Sequence, residues 1–221
     1  MDAKDIGRRC AAVLRRIPPE VTVVAATKGR SADEVRAAIA AGIQHVGENY
    51  VQEAEVKRPH VPEAASWHMI GHLQRNKAAR ALQLFDWLQT LDSLRLARRL
   101  DRLLLEAGRT LPVLVQVNVG REPQKAGLSP EQVPQFIGQL ADMPRLRVRG
   151  LMAIPPAPQR PEDVRPHFRT LRALFSQLRR ADIPGAPLDV LSMGMSQDWE
   201  IAVEEGATMV RLGTALFGPR T

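Results

Sequence analysis

Five lysines are available for amine chemistry in this chain: Lys4, Lys28, Lys57, Lys77 and Lys125. Lys28 alone directly follows an apolar run of buried-strand type, VTVVAAT at 21–27. Lys4, Lys57 and Lys77 fall in helix-like polar settings, and Lys125 lies in a loop with Gly and Pro. A lysine at the end of an apolar strand is partly desolvated, which favours the neutral amine that condensation with an aldehyde requires. A lysine snorkelling from a strand end would leave the same signature. A second constellation lies near the other end of the chain. SMGMS at 192–196 joins an apolar run to a helix for which Ser196 reads as the cap, and Arg211-Leu212-Gly213-Thr214 leads into the short helical turn ALFG. Backbone N–H groups, the Ser196 and Thr214 hydroxyls and a helix N-terminus suit a dianionic phosphate, although ordinary tight turns use the same residues. An amine after the first strand and a phosphate cradle after the last two together suggest a phosphorylated aldehyde.

Other candidates carry less. His68 and His72 in WHMIGH straddle a strand end and lack the intervening glutamate of a helical zinc motif, so no metal site is expected. Met193 and Met195 read as packing residues, and Cys10 as part of a surface helix away from any histidine motif. No serine sits in a nucleophile elbow.

The elements that must position these groups follow from the apolar pattern. Eight short runs recur, at 21–27, 43–47, 67–71, 85–91, 111–119, 148–154, 188–194 and 207–213. Several are near-continuous Val/Leu/Ile segments, as in strands covered on both faces of a parallel sheet. Amphipathic segments separate them: Ser31 to Glu34 and Ser129 to Gln132 read as capping boxes, and Val164, Phe168, Leu171, Phe175 and Leu178 form the longest stripe. The expected architecture is α/β, a (β/α)8 barrel with an extra N-terminal helix near 3–16, forming one domain over residues 1–221. A doubly wound open sheet is the alternative, yet ATKGRS stands where a dinucleotide fold would place its glycine fingerprint.

Composition bounds the function. One cysteine excludes an internal disulfide framework, and no apolar run is long enough to cross a bilayer or to form a signal peptide, so a cytoplasmic, soluble protein is expected. The net charge of +7 admits an anionic partner. Its arginines are spread through helical segments and aromatics make up only 4%, which argues against a nucleic-acid surface.

The motifs VAATKGR, VGENYVQEA (46–54), WHMIGHLQRNK (67–77), LPVLVQVNVG (111–120), RGLMAI (149–154) and the segment 191–218 resemble, in order and spacing, the YggS/PROSC family of pyridoxal 5′-phosphate (PLP) homeostasis proteins. The resemblance covers nearly the whole chain. It implies a fold-type III PLP barrel similar to the N-terminal domain of alanine racemase, with PLP held as an aldimine on Lys28. It further implies Asn49 beside the ring, Ser196, Gly213 and Thr214 at the phosphate, and Arg211 near the pyridine nitrogen. Gly29-Arg30 stands where the family frequently has Thr-Lys-Pro, and Met69 where Phe is common. The implied role is intracellular PLP homeostasis without robust turnover, with PLP-dependent apoenzymes as recipients and a monomer or weak dimer as the working form. The alternative is a small amino-acid racemase. Such an enzyme takes its opposite-face tyrosine from a further domain, whereas this sequence stops at Thr221 and its sole tyrosine is Tyr50.

Overall fold

The computed structural model describes residues 2–157 and 159–219. Helix α1 (Ala3–Leu14) precedes β1 (Thr22–Ala26), α2 (Ala32–Ala40), β2 (His45–Glu48) and α3 (Val51–Lys57). Next come β3 (Ser66–Met69), α4 (Ala78–Leu84), β4 (Trp87–Leu91), α5 (Leu94–Glu106) and β5 (Leu111–Val117). The remainder holds α6 (Val133–Leu140), β6 (Leu146–Ala153), α7 (Arg165–Arg180), β7 (Val190–Ser192), α8 (Trp199–Glu204), β8 (Met209–Leu212) and α9 (Thr214–Phe217). The strands pair in parallel and in chain order, and β8 closes on β1 with Thr22 opposite Met209 and Val24 opposite Arg211. Closure removes both sheet edges and excludes the open doubly wound arrangement.

The local signals act as their chemistry requires. Ser31 Oγ accepts from the Glu34 N–H while the Glu34 carboxylate accepts from the Ser31 N–H, so α2 starts where the capping box places it. On α7, Phe168, Leu171, Leu174, Phe175 and Leu178 are all buried against the barrel. At about 1.5–3 kcal/mol each, this stripe contributes roughly 10 kcal/mol before chain entropy is counted. Cys10 corrects one expectation: with Ile6 and Val13 it forms the inward face of α1 and is fully buried. Burial pushes its thiol up to about 11, which makes it a small apolar side chain and not a nucleophile.

Two apolar regions result. The larger lies between barrel and helices; the smaller, Val24, Ile70 and Met209, fills part of the barrel interior. That interior also admits His68, Gln89, Ser192 and Arg211, all buried. No described helix is long and apolar enough to cross a membrane.

Candidate functional site

Lys28, Asn49, Ser196, Arg211, Gly213 and Thr214 all line one cleft of about 370 Å³. They come from the ends of β1, β2, β7 and β8 or the loops beyond them. This is the end of a barrel where loops can vary without disturbing strand pairing.

Lys28 occupies a tight turn in which the Thr27 carbonyl accepts from the Arg30 N–H at 2.9 Å. Gly29 is in the left-handed region (φ 69°), a conformation for which glycine has no Cβ penalty. Its N–H donates to Glu53 Oε2 at 2.7 Å. Arg30 is buried against the Phe217 ring and donates to the Gly218 carbonyl, tying the turn to the last helical segment. The Gly29-Arg30 departure therefore gives a turn fixed by its own contacts. Lys28 itself is half-buried, with Nζ 3.4 Å from Tyr50 Oη.

Beneath that turn sits a cluster that the sequence did not reveal. Lys57 is buried and not in the polar helical setting expected of it. Its Nζ donates to the Thr27 carbonyl at 2.8 Å, to Glu48 Oε1 at 2.5 Å and to Glu53 Oε2 at 2.7 Å. Thr27 Oγ1 donates to the same Glu48 oxygen at 2.6 Å. Burial pushes the Glu48 carboxyl above its ordinary range, against the bonds from Lys57 and Thr27. Burial also opposes ionisation of Glu53, but there the bonds from Lys57 and Gly29 win and its carboxyl lies below the ordinary range. Just past β2, Asn49 donates its N–H to Glu48 Oε2 at 3.3 Å. A Cβ on Gly71 would lie 2.2 Å from the Asn49 carbonyl oxygen, so glycine there lets the β3 loop approach Asn49 closely.

At the opposite wall Ser196 does something other than cap the helix that follows it. Asp198 precedes α8, whereas Ser196 Oγ accepts from the N–H groups of Gly213 and Ala215, both at 3.0 Å. The hydroxyl thus reaches across to the start of α9 and joins the two loops expected to bind phosphate. Met193 is fully buried, but Met195 is 36% exposed and lines the cleft instead of packing. Arg211 donates from Nη1 to Ser192 Oγ at 2.6 Å and from Nη2 to the Ala153 carbonyl at 2.8 Å. Burial pulls its guanidinium down to about 10, with Asp198 opposing, so it is charged at neutral pH. His68 and His72 do not share a site. His68 is buried within the barrel, whereas His72 is exposed on the loop after β3.

Residues 1–221 match the alanine racemase N-terminal domain. The pyridoxal phosphate homeostasis protein of Escherichia coli K12 is 41% identical over 209 residues, spanning 93% of this chain and 88% of that protein. The chain belongs to the pyridoxal phosphate homeostasis protein family. The family's protein from Pseudomonas aeruginosa PAO1 is 41% identical over 214 residues, covering 96% of this chain and 90% of its own length. PipY of Synechococcus elongatus PCC7942, solved with PLP bound, is 40% identical with a TM-score of 0.88 over 96% of this chain and 100% of that one. Alanine racemase from Corynebacterium glutamicum shares the fold alone, at 15% identity and a TM-score of 0.77, with this chain covering 62% of it.

The cleft fits the family's cofactor on its own donor chemistry. It offers a primary amine for an aldehyde, N–H and hydroxyl groups for a phosphate, and a guanidinium that can only donate, for a ring nitrogen. A second, more open groove of about 580 Å³ gathers Arg75, Arg95, Arg98, Arg99 and Arg102, so the basic charge of this family member is more clustered than its sequence suggested.

The interior histidines give the fold a pH dependence. Burial pushes His68 down to about 3, and His45 also lies below the ordinary imidazole range through burial. His68 stays neutral in the fold where the unfolded chain is protonated in acid, and His45 shifts in the same direction, so the unfolded state binds more protons. The His68 contribution is therefore full above about pH 6.5 and falls as pH drops towards 3, by about 1.4 kcal/mol per pH unit. Urea denaturation at pH 7, 6 and 5 should show this slope, and His68→Gln should flatten it. An unchanged slope in the variant would assign the acid sensitivity elsewhere.

Proposed function

We propose that this chain binds PLP covalently through Lys28 and serves PLP homeostasis without robust turnover. The observation that carries the reading is the convergence of amine, phosphate donors and guanidinium on one cleft. PipY, its solved relative, carries PLP, and the curated relatives are named for PLP homeostasis. When bound, PLP supplies an aldehyde that a primary amine captures and a pyridine ring that withdraws electrons. Lys28 is the covalent anchor; Asn49 flanks the ring. Ser196, Gly213 and Thr214 hold the phosphate with neutral donors and the N-terminus of α9. Arg211 donates to the ring nitrogen, and since it has no acceptor it keeps that nitrogen unprotonated. Electron withdrawal is then weak, which favours storage over chemistry at a substrate's α-carbon. Recipients of the cofactor are PLP-dependent apoenzymes. The working form is a monomer or weak dimer, in the cytoplasm, with residues 1–221 acting as one domain.

Replacing Ser196 and Thr214 together by Ala tests the phosphate assignment. PLP affinity should fall by about tenfold to a hundredfold, the range for losing hydrogen bonds to a charged group, while pyridoxal affinity changes little. Equal losses for the two ligands, measured by fluorescence titration, would remove these residues from the phosphate site.

A further inference from the structure

A chain of polar side chains runs through the barrel from the cleft to its far end. Arg211 Nη1 donates to Ser192 Oγ at 2.6 Å, and Ser192 Oγ donates to Gln89 Oε1 at 2.7 Å. Gln89 Nε2 lies 3.0 Å from His68 Nδ1, and His68 Nε2 lies 3.0 Å from His45 Nδ1. His45 is the first residue of β2 and partly exposed, so the chain ends at the N-terminal end of the barrel.

The order of donors is the same along its whole length. Arginine has only donors, so Ser192 accepts from it and its own O–H is free for Gln89. The Gln89 amide is oriented independently, because its NH₂ also faces the Met209 sulfur at 3.2 Å. His68 Nδ1 is therefore an acceptor and its proton sits on Nε2, donated to His45 Nδ1. Trp87 stacks on the His68 ring, with centroids 5.4 Å apart, and fixes its plane. Burial keeps both imidazoles neutral, which such a tautomer order needs. Val24, Ile70 and Met209 show that apolar side chains also fill this interior. A buried polar chain costs stability unless every member is satisfied, and here the members satisfy one another.

We propose that Gln89 and His68 are positioning residues for Arg211: their donor order turns a Ser192 lone pair to the guanidinium and holds it aimed at the ring nitrogen of PLP. This rests on the reading that PLP occupies the cleft. The chain thereby places the guanidinium from inside the barrel.

Two measurements test it. Long-range ¹H–¹⁵N NMR on the protein without added PLP should find the His68 proton on Nε2; a proton on Nδ1 would overturn the donor order. Then Gln89→Leu, which fills the space but cannot bond Ser192, is titrated with PLP and with the analogue whose ring nitrogen is replaced by C–H. PLP should bind about tenfold more weakly than to the unaltered protein, the loss of one hydrogen bond to a charged group, while the analogue binds equally to both. Equal weakening of both ligands, or of neither, would overturn the positioning role and leave the PLP reading standing. Failure of the unaltered protein to bind PLP would instead sink that reading and leave the tautomer result intact. Should Gln89→Leu not fold, Gln89→Met, which also cannot donate to or accept from Ser192 as an amide does, takes its place in the same two titrations.

Discussion

Lys57→Met should destabilise the protein by about 3–5 kcal/mol, because it leaves the fully buried Glu48 carboxylate without its cationic partner. For a chain of this size that corresponds to a fall in melting temperature of roughly 10 °C. The same change removes the donor to the Thr27 carbonyl, the residue from which the Lys28 turn springs. Adding Glu48→Gln to Lys57→Met should recover part of the loss, since the uncompensated charge is gone. Denaturation curves for both variants measure the effect. A single-variant loss below about 1 kcal/mol, the scale of an exposed ion pair, would mean the cluster does not clamp the turn.

The second large expectation concerns turnover. Racemisation needs one base to remove the α-proton and another to return it on the opposite face. Tyr50 is the sole tyrosine in the sequence, and its Oη lies 3.4 Å from Lys28 Nζ. Two groups within hydrogen-bonding distance of one another cannot bracket a tetrahedral carbon. With the proposed Arg211 contact also keeping the ring nitrogen unprotonated, D-alanine formation from L-alanine should stay at least about a hundredfold below 1 s⁻¹, the lower end of ordinary enzyme rates. Chiral chromatography, with Lys28→Ala as control, follows it. Turnover at about 1 s⁻¹ or faster that vanishes in the control would promote the racemase reading.

Much of this was legible in residue order, for identifiable reasons. Near-continuous apolar runs are what a barrel strand covered on both faces demands, so all eight strands lie on or beside the predicted segments. Lys28 stood out because four other lysines did not end a strand. What stayed hidden depended on distance in the chain. Ser196 looks like the cap of the next helix, since local spacing cannot show that its hydroxyl reaches the start of α9. Lys57 has the pattern of a helical surface lysine. Its burial follows from packing α3 against the Glu48 carboxylate, and Glu48, a charge closing an apolar strand, was the overlooked signal. His45, His68, Gln89 and Ser192 are single polar residues on four different strands, and barrel closure alone assembles them into a chain.

Every role proposed for the cleft depends on covalent attachment of PLP at Lys28. The most direct measurement is borohydride reduction of the PLP-loaded protein followed by peptide mass mapping. One dominant adduct is expected, on the peptide carrying Lys28, with loss of the yellow colour on reduction. An adduct mainly on Lys77 or Lys125, with Lys28→Ala holding PLP as well as the unaltered protein, would contradict it.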